Sequence, residues 1–151
     1  MKKFGLLLFP LIAVGCNTTD SAKSEHVYPQ KYVDLTAEDG QHLLEKYWIL
    51  ATRKDPALPP AAARESLAGC TGVTFLINSK GRADGYKITN SYPEGMFDRH
   101  VLAALARWRY KPAEGNPDKT PVLTSVSISF TPEKAGNANE AAQRCENLSN
   151  R

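Results

Sequence analysis

Alternation of apolar and polar positions is sharpest in three stretches of the chain. Val73, Phe75 and Ile77 alternate with Thr74, Leu76 and Asn78, and Tyr86, Ile88 and Asn90 alternate with Lys87 and Thr89. Between them, Asn78-Ser79-Lys80-Gly81 has the composition of a tight turn, so the pair reads as an antiparallel hairpin. Further on, Val122, Thr124, Val126, Ile128 and Phe130 alternate with Leu123, Ser125, Ser127 and Ser129, which predicts a third strand with one apolar and one mostly polar face. Helical spacing lies between these strands. Phe97, Val101, Ala104, Leu105 and Trp108 trace one face of a helix that must stop by Lys111, because Pro112 follows. Ala61 to Leu67 predicts a short helix opened by Pro59 and Pro60 and ended before Gly69. An earlier helix starts near Thr36, with Glu38 and Asp39 in its first turn and Leu43, Leu44, Tyr47, Trp48 and Ala51 at helical spacing. Tyr47 to Thr52 is also rich in strand formers, so its later half fits either state. The order helix, strand, strand, helix, strand predicts an α+β fold: about three antiparallel strands with helices packed on one side.

The ends of the chain are different. Met1, Lys2 and Lys3 precede an apolar run from Phe4 to Val14, the layout of a secretory signal and too short for a membrane-spanning helix of about 20 residues. Ala13-Val14-Gly15-Cys16 resembles the bacterial lipobox, which makes Cys16 the expected lipid-attachment residue; the alternative is an ordinary signal with an incidental cysteine. Asn17, rather than Asp, after the cysteine favours outer-membrane sorting in similar lipoproteins. The expected organisation is a signal peptide over 1–15, a polar tether over 16–35, a folded domain over 36–132 and a polar tail over 133–151, with a short helix around Glu140 to Arg144.

Charge and cysteines narrow the function. The formal charge of +3 includes Lys2 and Lys3, and without them the balance is close to neutral, unlike the basic face of a nucleic-acid binder. Three cysteines are an odd number for an oxidising compartment. With Cys16 lipidated, Cys70 and Cys145 remain as a disulfide pair whose loop of about 75 residues is worth about 4 kcal/mol in the chain-entropy account. A zinc site is the competing reading, weakened by the absence of a ligand spacing around either cysteine. No serine or cysteine sits in a nucleophile motif, and His26, His42 and His100 are scattered through the tether, the helix that starts near Thr36 and the helix from Phe97 to Trp108. The expectation is a non-catalytic protein with no cofactor, no metal and no small-molecule substrate.

Longer motifs carry a family resemblance. Leu58-Pro59, Gly69, Ile77 with Gly81, the run Ser91-Tyr92-Pro93-Glu94-Gly95-Met96-Phe97-Asp98, and Ala104 to Trp108 continuing through Arg109, Tyr110, Lys111 and Pro112 together resemble the C-terminal domain of TonB-family proteins. Leu58 stands where that family usually has tyrosine. The resemblance implies a periplasmic module that captures short extended peptides, such as the N-terminal segments of TonB-dependent outer-membrane receptors, along an exposed strand edge. The edge it implies here is the third strand, residues Val122, Leu123, Thr124, Ser125, Val126, Ser127 and Ile128. Full transducers add an inner-membrane helix and a Pro-rich spacer, and neither pattern occurs in this sequence. The expectation is therefore an accessory binding protein, lipid-anchored at the inner face of the outer membrane. The alternative is a structural lipoprotein holding envelope proteins or cell wall, with no transport role.

Overall fold

The computed structural model describes residues 31–37 and 40–149; the expected signal peptide, Cys16, most of the expected tether, Glu38 and Asp39 lie outside them. In chain order the elements are β1 (Val33–Asp34), α1 (Gly40–Tyr47), β2 (Trp48–Thr52), α2 (Pro60–Glu65), β3 (Gly69–Ile77), β4 (Ala83–Tyr92), α3 (Asp98–Leu105), β5 (Arg109–Pro112), β6 (Val122–Phe130) and α4 (Ala138–Ser149). The strands form a four-stranded sheet of order β1-β6-β3-β4 and a separate β2-β5 ribbon.

The antiparallel strands β3 and β6 follow the alternation in the sequence; on β4 register shifts break it, so that Ile88, opposite Val73, is exposed and Asn90, opposite Gly72, turns to the other face. On one face Val73, Phe75 and Ile77 meet Val126, Thr124 and Val122 in register, and with Val101, Leu105, Trp48 and Trp108 they form the core. Asn78 builds the hairpin turn, its carboxamide oxygen accepting from Lys80 N (3.0 Å) and Arg82 N (3.2 Å). Gly81 has φ +69°, and any Cβ there would run into the Tyr110 carbonyl, so two separate constraints require glycine.

The motif from Ser91 to Asp98 is a polar knot. The Asp98 carboxylate accepts from Ser91 Oγ (2.7 Å) on β4 and from Thr71 Oγ1 (2.9 Å) on β3, while Ser91 Oγ accepts from Gly95 N (2.9 Å). Phe97 beside it is fully buried and stacks on Phe130, ring centroids 4.3 Å apart. Gly69 makes room for this stack, since a Cβ would strike the Phe97 ring.

Three elements go beyond the sequence reading. α3 ends at Leu105, three residues before the apolar stripe does, and Arg109–Pro112 becomes β5, paired with β2 from Trp48↔Pro112 to Thr52↔Arg109. Tertiary pairing overrides helical spacing here: Tyr110 N donates to Gly81 O (2.8 Å) and Trp108 Nε1 to Lys54 O (2.8 Å). The same pairing settles Tyr47 to Thr52, which is helix up to Tyr47 and strand from Trp48. Val33–Asp34, expected within the tether, is a strand parallel to Val122–Leu123, and Leu35 behind it is buried in the core.

The tail forms α4, longer than the expected Glu140–Arg144. Cys145 is bonded to Cys70, with Cα atoms 6.0 Å apart. Asn137 grips the backbone of Ala68 from both sides, accepting from its N–H (2.8 Å) and donating to its carbonyl (2.9 Å). Cys70 pairs with Ser129 and Thr71 with Ile128. Because Thr71 reaches α3 and Cys70 reaches α4, these two helices sit on opposite faces of the sheet.

Candidate strand-docking edge

An antiparallel sheet leaves unpaired N–H and C=O groups along its outermost strands, and these template the addition of another strand. In the four-stranded sheet two edges come into question, β4 and the outer side of β6. β4 carries two register shifts against β3, between Gly72 and Val73 and between Thr74 and Leu76, and it bears Asp84 and Lys87. Bulges and charges of this kind blunt an edge.

β6 has neither device. Among the described residues its outer side is covered by β1 at Val122 and Leu123, through Val33 N to Pro121 O (3.0 Å) and Leu35 N to Leu123 O (2.8 Å). The next outward carbonyl, Ser125 O, accepts from Gln41 Nε2 (2.8 Å) on α1. Outward backbone groups recur every second residue, so those of Ser127 and Ser129 follow on the same side. Among the described residues no strand pairs with β6 on this side beyond Leu123. Ser127 and Ser129 also have exposed side chains, whereas Ile128 between them is buried in the core.

Of the edge residues expected from the sequence, Val122 and Leu123 are thus already taken by β1, and the carbonyl of Ser125 by Gln41. Thr124, Val126 and Ile128 turn their backbone groups inward to β3, which leaves Ser127, joined by Ser129 beyond the expected stretch. β1 was missed because two residues carry no periodicity, and its contribution depends on Leu35 reaching the core. Gln41 was missed because nothing local in the sequence aims an amide at Ser125. α4, the other segment able to cover the edge, is a helix pinned to the face of β3 and does not run beside β6 as a strand.

The remaining chemistry-bearing residues are dispersed. His42 is exposed on α1, His100 is half-buried on α3 beside Lys54 and Arg107, and Cys70 is in the disulfide. Among the described residues no three His, Cys, Asp or Glu side chains come together to hold a metal ion. Burial pushes the Tyr110 phenol well above its ordinary value, and burial followed by the nearby Asp84 raises that of Tyr86. Both belong to the core around β5 and lie away from the β6 edge.

Comparison with known proteins bears on what this edge belongs to. The family model described as Gram-negative bacterial TonB protein C-terminal matches residues 54–132, more than half of the chain. The chain belongs to the TonB C-terminal family. Protein TonB of Pseudomonas aeruginosa is 41% identical over 65 residues, 42% of this chain and 19% of that protein. Protein TonB of Escherichia coli is 35% identical over 63 residues, 42% of this chain and 26% of its own length. The solution structure of the Pseudomonas aeruginosa TonB C-terminal domain superposes with a TM-score of 0.52 at 26% identity, covering 70% of this chain and 98% of that one. The chain spans less than a third of the curated relatives it matches. β1, α1 and β2 precede the TonB C-terminal match, and α4 follows it.

Proposed function

We propose that this chain is a non-catalytic TonB-family lipoprotein that captures extended segments of partner proteins along β6 at Ser125–Ser129, as an accessory to energy-coupled transport. In this reading residues 1–15 are a signal peptide, Cys16 carries the lipid, and the polar residues that follow tether the domain in the periplasm at the inner face of the outer membrane. The partners are envelope proteins, among them the N-terminal segments of TonB-dependent receptors. One observation carries the proposal: beyond Leu123 the outer side of β6 has no strand partner among the described residues, while the tail that could have covered it is held on the sheet face.

Magnitudes set the kind of binding. The N–H and C=O groups of Ser127 and Ser129 can make four backbone hydrogen bonds, each worth about 0.5–1.5 kcal/mol net. Their sum, roughly 2–6 kcal/mol, is offset by an association cost of at least about 4 kcal/mol. Edge pairing alone is therefore weak and transient, and partner side chains must add to it.

The test is photo-cross-linking in whole cells with a benzophenone amino acid replacing Ser127, and Lys87 on β4 as the control position. Capture of outer-membrane receptors through their N-terminal segments at Ser127 but not at Lys87 supports the proposal. Equal capture at both positions, or capture only of cell-wall and assembly proteins, would sink the transport reading in favour of an envelope scaffold.

A further inference from the structure

A groove of about 250 Å³ lies where the end of β6 passes beneath α4. Ser129, Phe130 and Pro132 form one side of it, and Ala138, Ala142 and Cys145 the other. The volume is smaller than the roughly 300–1,000 Å³ of small-molecule sites, so one side chain fits it better than a free metabolite does.

The groove is continuous with the open edge through Ser129, which contributes to both. Register fixes its orientation. Ser129 shares a face with Cys70, its partner on β3, and Cys70 is bonded to Cys145 on α4. A strand added beside β6 would point every second side chain to this same face, toward α4. Ala138 and Ala142 are exposed and too small to close the space themselves. α4 is held in place at two points, by Cys145 and by the Asn137 grip on Ala68, so the groove exists before anything enters it. Glu146 is the one charged residue on its wall, which disfavours an acidic side chain.

We infer that the groove is a specificity pocket for one apolar side chain, of leucine size, carried by an extended partner segment paired with β6. This rests on the β6 edge being the capture surface, and it supplies the side-chain contribution that backbone pairing lacks. The wall formed by α4 lies beyond the 54–132 match to the family model.

The experiment uses the full chain in detergent and nine-residue peptides of alternating serine and threonine, with a single Leu walked along the sequence and an Ala counterpart for each. Amide shifts and Kd values are the readouts. Leu at one register binds about tenfold tighter than Ala there, with shifts at Ser127, Ser129, Ala138 and Ala142. Ala142→Trp, at an exposed position, removes that advantage and leaves the Ala peptide unchanged. Shifts at Ser127 and Ser129 with no Leu preference, or a preference that survives Ala142→Trp, overturn the pocket and leave edge capture standing. Shifts at Ala138 and Ala142 alone mean that the groove works apart from the edge, which also overturns the inference. Peptides that leave Ser127 and Ser129 unmoved remove edge capture, and the pocket with it.

Discussion

Along β4, two bulges bend the strand, Asp84 and Lys87 sit on it, and Ser91 at its end is tied through Asp98 to β3 and α3. Among the described residues, the constraints along the outer side of β6 are β1 and Gln41 toward one end and the Phe97–Phe130 stack and α4 toward the other. The stretch between carries serine and is free of bulges against β3. Among the described residues one edge is thus guarded and part of the other is without a strand partner, and an unguarded edge invites pairing.

Breaking the closed end of β6 should have the largest effect. Phe97→Ala removes a fully buried ring from the Phe130 stack and should cost about 3–5 kcal/mol, read as a lower midpoint in urea unfolding; a loss under 1 kcal/mol would mean that the stack is incidental. Cys145→Ser frees α4 and should cost about 2–4 kcal/mol, with a free thiol appearing at Cys70 and faster amide exchange confined to α4 and its contacts. Asp98→Ala leaves the Ser91 and Thr71 hydroxyls without their acceptor and should cost about 1–3 kcal/mol. Its exchange signature should fall on β4 and the start of α3, not on β6, and spread to β6 would erase the contrast between the edges.

A finer test needs no mutation. Amides of Ser127 and Ser129 should exchange far faster than those of Val126 and Ile128, which point to β3; equal protection would mean that the edge is covered. The smallest effect is on pH dependence. Buried Tyr110 and half-buried Tyr86 keep their protons in the folded state above their ordinary pKa of 10.0, while the unfolded chain loses them. The unfolded state then binds fewer protons, so stability falls as pH rises past about 10, and Tyr110→Phe should flatten that fall in thermal melts.

Much of this was readable in the residues themselves. The alternation around Val73 and Val122, the Asn78 to Gly81 turn and the Ser91 to Asp98 motif are local patterns, and each appears as an element with the expected face inward. The motif's purpose was less legible: Asp98 reads as a charge at a helix start, whereas its carboxylate ties two strands to that helix. β5 was hidden because Trp108 continues a helical stripe, and only the β2 edge and the Gly81 carbonyl make Arg109–Pro112 extended.

The edge shows the same division. Sequence by itself determined that β6 exists, which of its faces is buried and that its other face is serine, since side-chain alternation is a property of each strand alone. Only the tertiary structure decided that β1 closes the Val122 end, that Gln41 stops at Ser125 and that Cys145 carries α4 to the far face. Those outcomes depend on which segments meet across long stretches of chain, and nothing in the local spacing of side chains encodes such meetings.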